Sequence, residues 1–102
     1  MTWVDEYKFG EDFDDLRTDL LRADGLARVL AAELSSGHPL LGQAWTIVAQ
    51  ARPQDEVVVT TDSAVYLVHM TWTRRPPERP PYPIALAFRS AAEFEDAIKY
   101  RY

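Results

Sequence analysis

Short β-branched runs alternate with polar links in the middle third of the chain. Val, Ile, Thr and aromatic residues are frequent at positions 43–51, 56–61 and 64–73, and each segment has the length and composition of a strand. The first link, 52–55, contains proline, and the second is the dipeptide 62–63. Because links this short join antiparallel neighbours, the pattern predicts a meander of three antiparallel strands.

The segment before this meander has the hydrophobic period of a helix. From 11 to 35, apolar residues recur at spacings of three, four or seven. Gly25 interrupts this pattern, and Asp24 has a side chain that can cap a second helix over 26–35, so one kinked helix and a helix pair both fit. The Gly-His-Pro sequence at 37–39 predicts the end of the helical segment.

Proline dominates the segment after the meander. Residues 74–83 hold five of the seven prolines, so we expect a loop there. The run 84–88 predicts a fourth strand at an edge of the sheet. Ser90 and Glu93 have the spacing of a capping box, which predicts a C-terminal helix. Residues 1–102 thus form one predicted α+β domain, with an N-terminal helix or helix pair, a three- to four-stranded antiparallel meander and a C-terminal helix.

Alternation along the strands assigns each side chain to one face of the sheet. A two-residue turn at 62–63 places on one face Val57, Val59, Tyr66, Val68, Met70 and Trp72. The opposite face receives Val58, Thr60, Val65, Leu67 and His69. A four-residue first link adds Trp45, Ile47 and Ala49 to the His69 face, and Thr46 and Val48 to the Trp72 face.

Both faces of the predicted sheet are apolar, so both need cover. Either the helices take one face each, or they share one face and leave the other for a partner or a second copy of the chain. Large apolar patches are uncommon on monomers, which is why the second arrangement predicts a contact surface. Tyr66 and Trp72 are its candidate contact residues, since Tyr and Trp are enriched at interface hot spots.

Composition is that of an ordinary globular domain. The chain has 102 residues, of which 47% are hydrophobic and 26% charged, and it has no cysteine. Disulfides and thiolate metal sites are therefore excluded. No apolar run approaches the roughly 18–20 residues of a membrane span, and the acidic N-terminus is unlike a secretory signal. We expect a cytoplasmic protein with no membrane contact and no cofactor.

Negative charge is concentrated at the N-terminus. Residues 1–19 hold seven carboxylates and two basic residues, so they carry the whole net charge of −5. Without a net-positive surface we expect no nucleic-acid binding. The acidic residues fit the first turns of a helix, and they also fit a surface that meets a basic partner. The candidate partner-binding carboxylates are Asp12, Asp14, Asp15 and Asp19.

His69 is the candidate for chemistry, because imidazole titrates near neutrality and can act as a general base. A pocket around it would also involve Trp45. The alternative is a partly buried histidine that only hydrogen-bonds its neighbours. His38, in the predicted link before the first strand, is expected to be exposed. The two histidines have no metal-ligand spacing, so we predict no metal site and no catalytic residues.

The strand Val-His-Met-Thr-Trp at 68–72 follows a DEVVV run and precedes the proline-rich stretch that ends at Pro83. In these features the chain resembles small bacterial proteins of uncharacterised activity that carry a Val-His-hydrophobic-Thr-Trp strand. The resemblance covers roughly the C-terminal two-thirds of the chain. It implies a bacterial origin and a stand-alone α+β fold, and it implies no catalytic residues.

Taken together, these features predict a non-catalytic binding or accessory protein that acts through protein–protein contact, including self-association. An immunity-type inhibitor is one version, in which the acidic residues block a basic toxin site. The alternative is a small enzyme or small-ligand-binding domain with a pocket around His69.

Overall fold

Five antiparallel strands form one sheet, and two α-helices pack against it. The structure is a computed structural model that describes residues 2–53, 55–79 and 81–102. Its elements are a 3-10 helix (Trp3–Glu6), β1 (Phe13–Asp15), α1 (Leu20–Glu33), β2 (Thr46–Ala51), β3 (Glu56–Thr60), β4 (Val65–His69), β5 (Ala85–Phe88) and α2 (Ala91–Ile98). The strands lie in sequence order, β1-β2-β3-β4-β5. The α+β class and the antiparallel meander are confirmed, and the sheet has one strand more than predicted.

The additional strand is β1, in a segment for which the sequence predicts helix. Phe13 lies opposite Ala51 of β2, and the Arg52 N–H donates to the Asp12 carbonyl at 2.7 Å. A helix starting at residue 11 is therefore wrong. The physical reason is long-range: β2 would otherwise have an unpaired edge, and pairing buries the Phe13 side chain to 4% exposure.

The predicted N-terminal helical segment contains one helix, α1, and not a pair. Asp19 is its N-cap, and the Asp19 carboxylate accepts a hydrogen bond from the Arg22 N–H at 3.3 Å. Gly25 lies inside the helix on an exposed side, and a Cβ atom there would meet nothing within 4 Å. The helix continues through Gly25, and Asp24 does not cap a second helix.

The β3–β4 hairpin has the predicted register. Val57 lies opposite Val68 and Val58 opposite Leu67, so successive valines alternate between the two faces. β4 is shorter than predicted and ends at His69. Residues 70–73 leave the sheet, which places the last three residues of the Val-His-Met-Thr-Trp motif outside the strand.

A β-bulge in β2 changes the faces of the residues before it. Ile47 lies opposite Val59, but Ala49 lies opposite Val58, so one extra residue is inserted between them. The face predicted for Ala49 is therefore confirmed. The predicted faces are wrong for Trp45, Thr46, Ile47 and Val48.

Each face of the sheet has its own core, and each core includes one helix. The α1 core comprises Leu16, Ala23, Leu26, Leu30, Leu34, Leu40, Ile47, Val57, Val59, Val68 and Met70. The aromatic core on the other face comprises Val4, Phe13, Val48, Ala49, Ala51, Val58, Val65, Leu67, Phe88 and Phe94, with Trp3, Tyr7, Phe9 and Tyr102 packed against it. The prediction that both faces are apolar is confirmed. Because the chain covers both faces itself, the sheet leaves no whole face for a partner.

The C-terminal elements agree with the sequence pattern. β5 is an edge strand that pairs with β4, and the Ser90 hydroxyl caps α2 by accepting from the Glu93 N–H at 3.2 Å. The Glu93 carboxylate accepts from the Arg89 N–H at 3.4 Å and not from the N-cap, so only half of the capping box forms. The proline-rich prediction includes Pro80, and the first link includes Gln54; both residues lie outside the described part of the chain.

Candidate functional site

The outer edge of β5 carries backbone groups that no described strand pairs. The His69 N–H donates to the Ile84 carbonyl at 3.0 Å, which places the Ile84 backbone groups toward β4. Antiparallel strands alternate inward- and outward-pointing backbone groups, so Leu86 also bonds β4. Ala85 and Ala87 point their N–H and C=O groups away from the sheet. Four backbone hydrogen-bonding groups therefore lie along this edge.

The side chains along this edge are apolar and accessible. Ile84 is 41% exposed and Leu86 is 39% exposed, and both lie on the aromatic-core face of the sheet. Ala87 is exposed on the opposite face. The run 84–88 contains neither a charged residue nor a proline, which are the usual means of protecting an edge strand from pairing. β5 is thus a ready template for another strand.

The opposite edge of the sheet is protected. β1 is only three residues long, and two of them are Asp14 and Asp15. A second β1 strand placed alongside would bring these carboxylates together, and like charges across a strand pair destabilise it. The two edges therefore differ in their capacity to accept a further strand, and only β5 is suited to it.

Both ends of β5 are held in place. Buried His38 contacts the Pro83 carbonyl through Nε2 at 2.6 Å, just before the strand begins. Its Nδ1 accepts from the Leu40 N–H at 3.1 Å, so the ring is assigned as the Nε2–H tautomer. At the other end, the Trp3 indole donates to the Phe88 carbonyl at 3.2 Å. The prediction that His38 is exposed is wrong, because the ring is needed to fix the approach to β5.

The predicted acidic surface is divided among separate structural roles. Asp14 accepts hydrogen bonds from Arg52 at 2.6 Å and Arg22 at 2.8 Å, and these bonds lower the pKa of its carboxyl. Asp15 forms two hydrogen bonds with the Arg17 guanidinium, at 2.9 and 2.6 Å, and the pKa of Asp15 is lowered by this pairing. The charges of both carboxylates are therefore largely balanced within the chain.

Asp19 and Asp12 complete the predicted set. Asp19 caps α1, so its carboxylate is occupied by the helix N-terminus. Asp12 is exposed, and in the described residues no hydrogen bond or ion pair reaches its side chain. Because 13–15 form a strand, the four aspartates do not share the face of a helix. These positions therefore give less support to a concentrated acidic docking surface.

Arg17 has a structural role that the residues around it in the sequence do not indicate. Its guanidinium donates to the backbone carbonyls of Val4 and Tyr7, both at 2.7 Å, and lies 5.1 Å from the centre of the Phe9 ring. Together with the Asp15 ion pair, these contacts fix the N-terminal segment over the aromatic core. No spacing rule could have revealed this, because the acceptors are main-chain atoms.

His69 lies beside a buried carboxylate. Its Nδ1 is 3.6 Å from Glu56, whose side chain is 1% exposed while that of His69 is 50% exposed. Glu56 accepts hydrogen bonds from the Arg101 guanidinium and, at 2.5 Å, from the Tyr102 hydroxyl. The carboxylate therefore fastens the C-terminal residues to the sheet.

The pKa of Glu56 reflects opposing effects. Burial acts to raise the pKa of its carboxyl, but the hydrogen bonds from Arg101 and Tyr102, with the neighbouring positive charges, lower it by more. The net pKa lies below the ordinary value. Burial and the contact with Glu56 raise the pKa of the Tyr102 hydroxyl. Glu56 is thus an ionised structural group whose acceptor capacity is used by the C-terminus.

The three predicted aromatic site residues do not converge. Trp45 and Tyr66 are partly buried against the α1 core. Trp72 is 43% exposed and has a positive φ of 52°, and its N–H donates to the buried Glu33 carboxylate at 3.1 Å. Trp45 lies on the face opposite His69, so the predicted pocket shared by these two residues is not formed.

His69 lines neither of two cavities in the described part of the chain. One, of about 260 Å³, lies between the N-terminal segment and the ends of β4 and β5, and it includes Trp3 and Arg89. The other, of about 300 Å³, lies between α1 and the segment after β4, and it includes Val29 and Pro76.

Within residues 2–53, 55–79 and 81–102, no group of three or more His, Asp or Glu side chains could hold a metal ion. None of the described helices is long and apolar enough to cross a membrane.

Comparison with known proteins gives no assignment. No protein-family model matches the chain, and neither a curated protein nor a solved structure does. The resemblance to small bacterial proteins therefore stays a prediction. The candidate site rests on the geometry of the β5 edge.

Proposed function

We propose that this chain is a non-catalytic binding protein that acts through protein–protein contact at the free edge of β5. The observation that carries this proposal is the row of outward-pointing backbone groups at Ala85 and Ala87, with exposed Leu86 between them. In strand addition, such groups supply affinity through main-chain hydrogen bonds, and alternate side chains supply specificity.

The setting of β5 favours binding over chemistry. His38 and Trp3 fix the two ends of the strand, so its edge is ordered before a partner arrives. Pre-ordering reduces the conformational entropy that association costs. The edge has no titratable side chain, which makes it suited to contact and unsuited to proton transfer.

The two narrower versions have less support. An immunity-type inhibitor would need a concentrated acidic surface, but Asp14 and Asp15 are paired with arginines of the same chain. An enzyme centred on His69 would need a substrate pocket there, and its neighbour Glu56 already binds Arg101 and Tyr102. The contact function at β5 requires none of these groups to change partners.

Photo-crosslinking in the cells that express the protein tests this proposal. A benzoylphenylalanine placed at position 87 lies on the edge, whereas the same group at Leu21, which is 89% exposed on α1, lies on a helix surface away from the sheet. We expect crosslinks to a polypeptide from position 87 and few from position 21. Equal yields from both positions, or none from position 87, would contradict a contact function at β5.

A further inference from the structure

We infer that the occupant of the β5 edge is a second copy of the same chain, joined through antiparallel β5–β5 pairing about a two-fold axis. This inference rests on the proposed function, because it names the partner of the same edge. Its basis is that the edge is complementary to itself in hydrogen bonding and side-chain size, and that it carries no charged residue.

Hydrogen bonding fixes the register of the pair. If Leu86 lies opposite Leu86 of the second copy, then Ala85 lies opposite Ala87, and Ala87 opposite Ala85. The outward N–H and C=O groups of both alanines then meet their counterparts in hydrogen-bonded pairs. All four outward groups of each strand are satisfied. A shift of one residue would place these alanines opposite residues whose N–H and C=O groups point toward their own β4, and the bonds would be lost.

Side chains agree with this register. The central Leu86 pair is a non-hydrogen-bonded pair, in which Cα atoms are about 4.5 Å apart and side chains contact closely. Ile84 faces Phe88 of the second copy on the same side of the sheet. The opposite side presents the small side chains of Ala85 and Ala87.

The edge itself carries no charge that would oppose a second copy, because the run 84–88 has no charged residue. Each chain carries −5, and its carboxylate surplus lies in residues 1–19, which run from the 3-10 helix, beside the end of β5, to β1 at the far edge of the sheet. In the paired assembly the two β1 strands are nine strand spacings apart, roughly 43 Å at about 4.8 Å per spacing. This distance is several times the screening length of about 8 Å at physiological salt, so the β1 carboxylates barely oppose association.

The contact between the two β5 strands is small, so we expect its affinity to be low. Only Ile84 and Leu86 contribute large exposed side chains, so the buried area falls below the roughly 800 Å² per partner of a stable interface. We therefore expect reversible pairing with a dissociation constant on the order of 100 μM. Measurements must span about 10 μM to 1 mM to detect it.

Sedimentation equilibrium with matched variants tests the partner. We expect the weight-average mass of the wild type to rise with concentration from 11.7 kDa toward twice that value. Leu86→Lys should keep the monomer mass at every concentration, and Leu21→Lys, an exposed leucine on α1, should behave as the wild type. A wild-type mass fixed at 11.7 kDa up to 1 mM overturns the inference, as does pairing that survives Leu86→Lys.

Single-cysteine variants test the register independently of stability, because the chain has no native cysteine. In the inferred pair, Cα atoms at position 86 lie within the 4.4–6.8 Å that a disulfide spans. Positions 84 of the two copies are four residues apart along the strands, roughly 14 Å. Under mild oxidation, Leu86→Cys should form a disulfide-linked dimer at least ten times faster than Ile84→Cys. Equal rates would refute this register.

Different results would refute the second copy as the partner and the contact function of β5. A strict monomer whose position-87 crosslinks are all to a different polypeptide would refute the second copy and retain the contact function. A strict monomer without crosslinks at position 87 would refute both.

Discussion

The ion pair between Glu56 and Arg101 offers the sharpest test of how this fold is held together. Glu56→Gln removes the negative charge while nearly preserving shape. The glutamine amide cannot accept all the hydrogen bonds that Arg101 and Tyr102 now donate to the carboxylate. The substitution therefore leaves donors without acceptors next to a side chain that is 1% exposed.

The expected magnitude follows from the unequal burial of the partners. Breaking a fully buried pair costs about 3–5 kcal/mol. Arg101 keeps 36% of its side chain exposed and can turn to water, so we expect a smaller loss of about 2 kcal/mol. For a domain of this size that loss lowers the melting temperature by roughly 8–16 °C. It also lowers the urea midpoint by roughly 1–2 M.

The pH dependence has a definite sign. The folded-state pKa of Glu56 is lowered from its ordinary value of 4.5, so the ionised carboxylate contributes stability above that value. This contribution is lost as the pH falls through the folded-state pKa, where the wild-type group also becomes neutral. The difference between wild type and Glu56→Gln should therefore be full at pH 7 and shrink as the pH falls below 4.5.

Urea denaturation followed by circular dichroism measures this difference, with Glu6→Gln as the control. Glu6 is exposed, and no described residue bonds its carboxylate, so its substitution should change stability by less than about 0.5 kcal/mol. A double-mutant cycle with Arg101→Met should give a coupling of at least about 1 kcal/mol. Equal losses in both glutamine variants, or a loss that is constant with pH, would refute the role assigned to Glu56.

Three further predictions test the remaining structure. Asp19→Ala should destabilise by about 1 kcal/mol in urea denaturation because it removes the α1 cap, and Asp24→Ala should not; equal effects would contradict the observed helix start. Gly25→Ala should raise the melting temperature, with a gain of about 0.5–1 kcal/mol, because the added Cβ meets open space inside a helix; a loss would refute this. Arg17→Met should cost about 2 kcal/mol and increase amide exchange at residues 3–9, and unchanged exchange would show that its carbonyl contacts do not hold that segment.

The sequence pattern correctly predicts those elements that depend on residues only a few positions apart. The β3–β4 register follows from the two-residue turn at 62–63, and the start of α2 follows from Ser90. Both depend on contacts between close neighbours in sequence. The same applies to β5 as an edge strand, because the run 84–88 follows directly after prolines.

Elements fixed by distant contacts could not be predicted in this way. Phe13 belongs to a strand because its partner is Ala51, 38 residues later, and nothing nearby in sequence distinguishes it from a helical position. The bulge before Ala49 reverses the faces of earlier residues without a glycine or proline to mark it. Local pattern alone cannot supply either feature.

The candidate site was only partly visible in the sequence. The sequence pattern predicts contact or pocket residues among aromatic, acidic and histidine side chains. The β5 edge consists instead of main-chain groups beside Leu86 and Ala87. Its one signal in the sequence is negative: a predicted edge strand that lacks charge and proline. The Glu56–Arg101 pair has no sequence signal, since its members are 45 residues apart.

The three consecutive valines of β3 have a mechanical consequence for unfolding. Val57 and Val59 belong to the α1 core and Val58 to the aromatic core, so a single stretch of backbone is shared by both hydrophobic clusters. Neither cluster can melt without loosening the strand that supports the other. Trp3 and Trp45 flank opposite clusters. In variants that lack Trp72 and retain only one of these two, fluorescence and circular dichroism of the same variant should report superimposable denaturation curves.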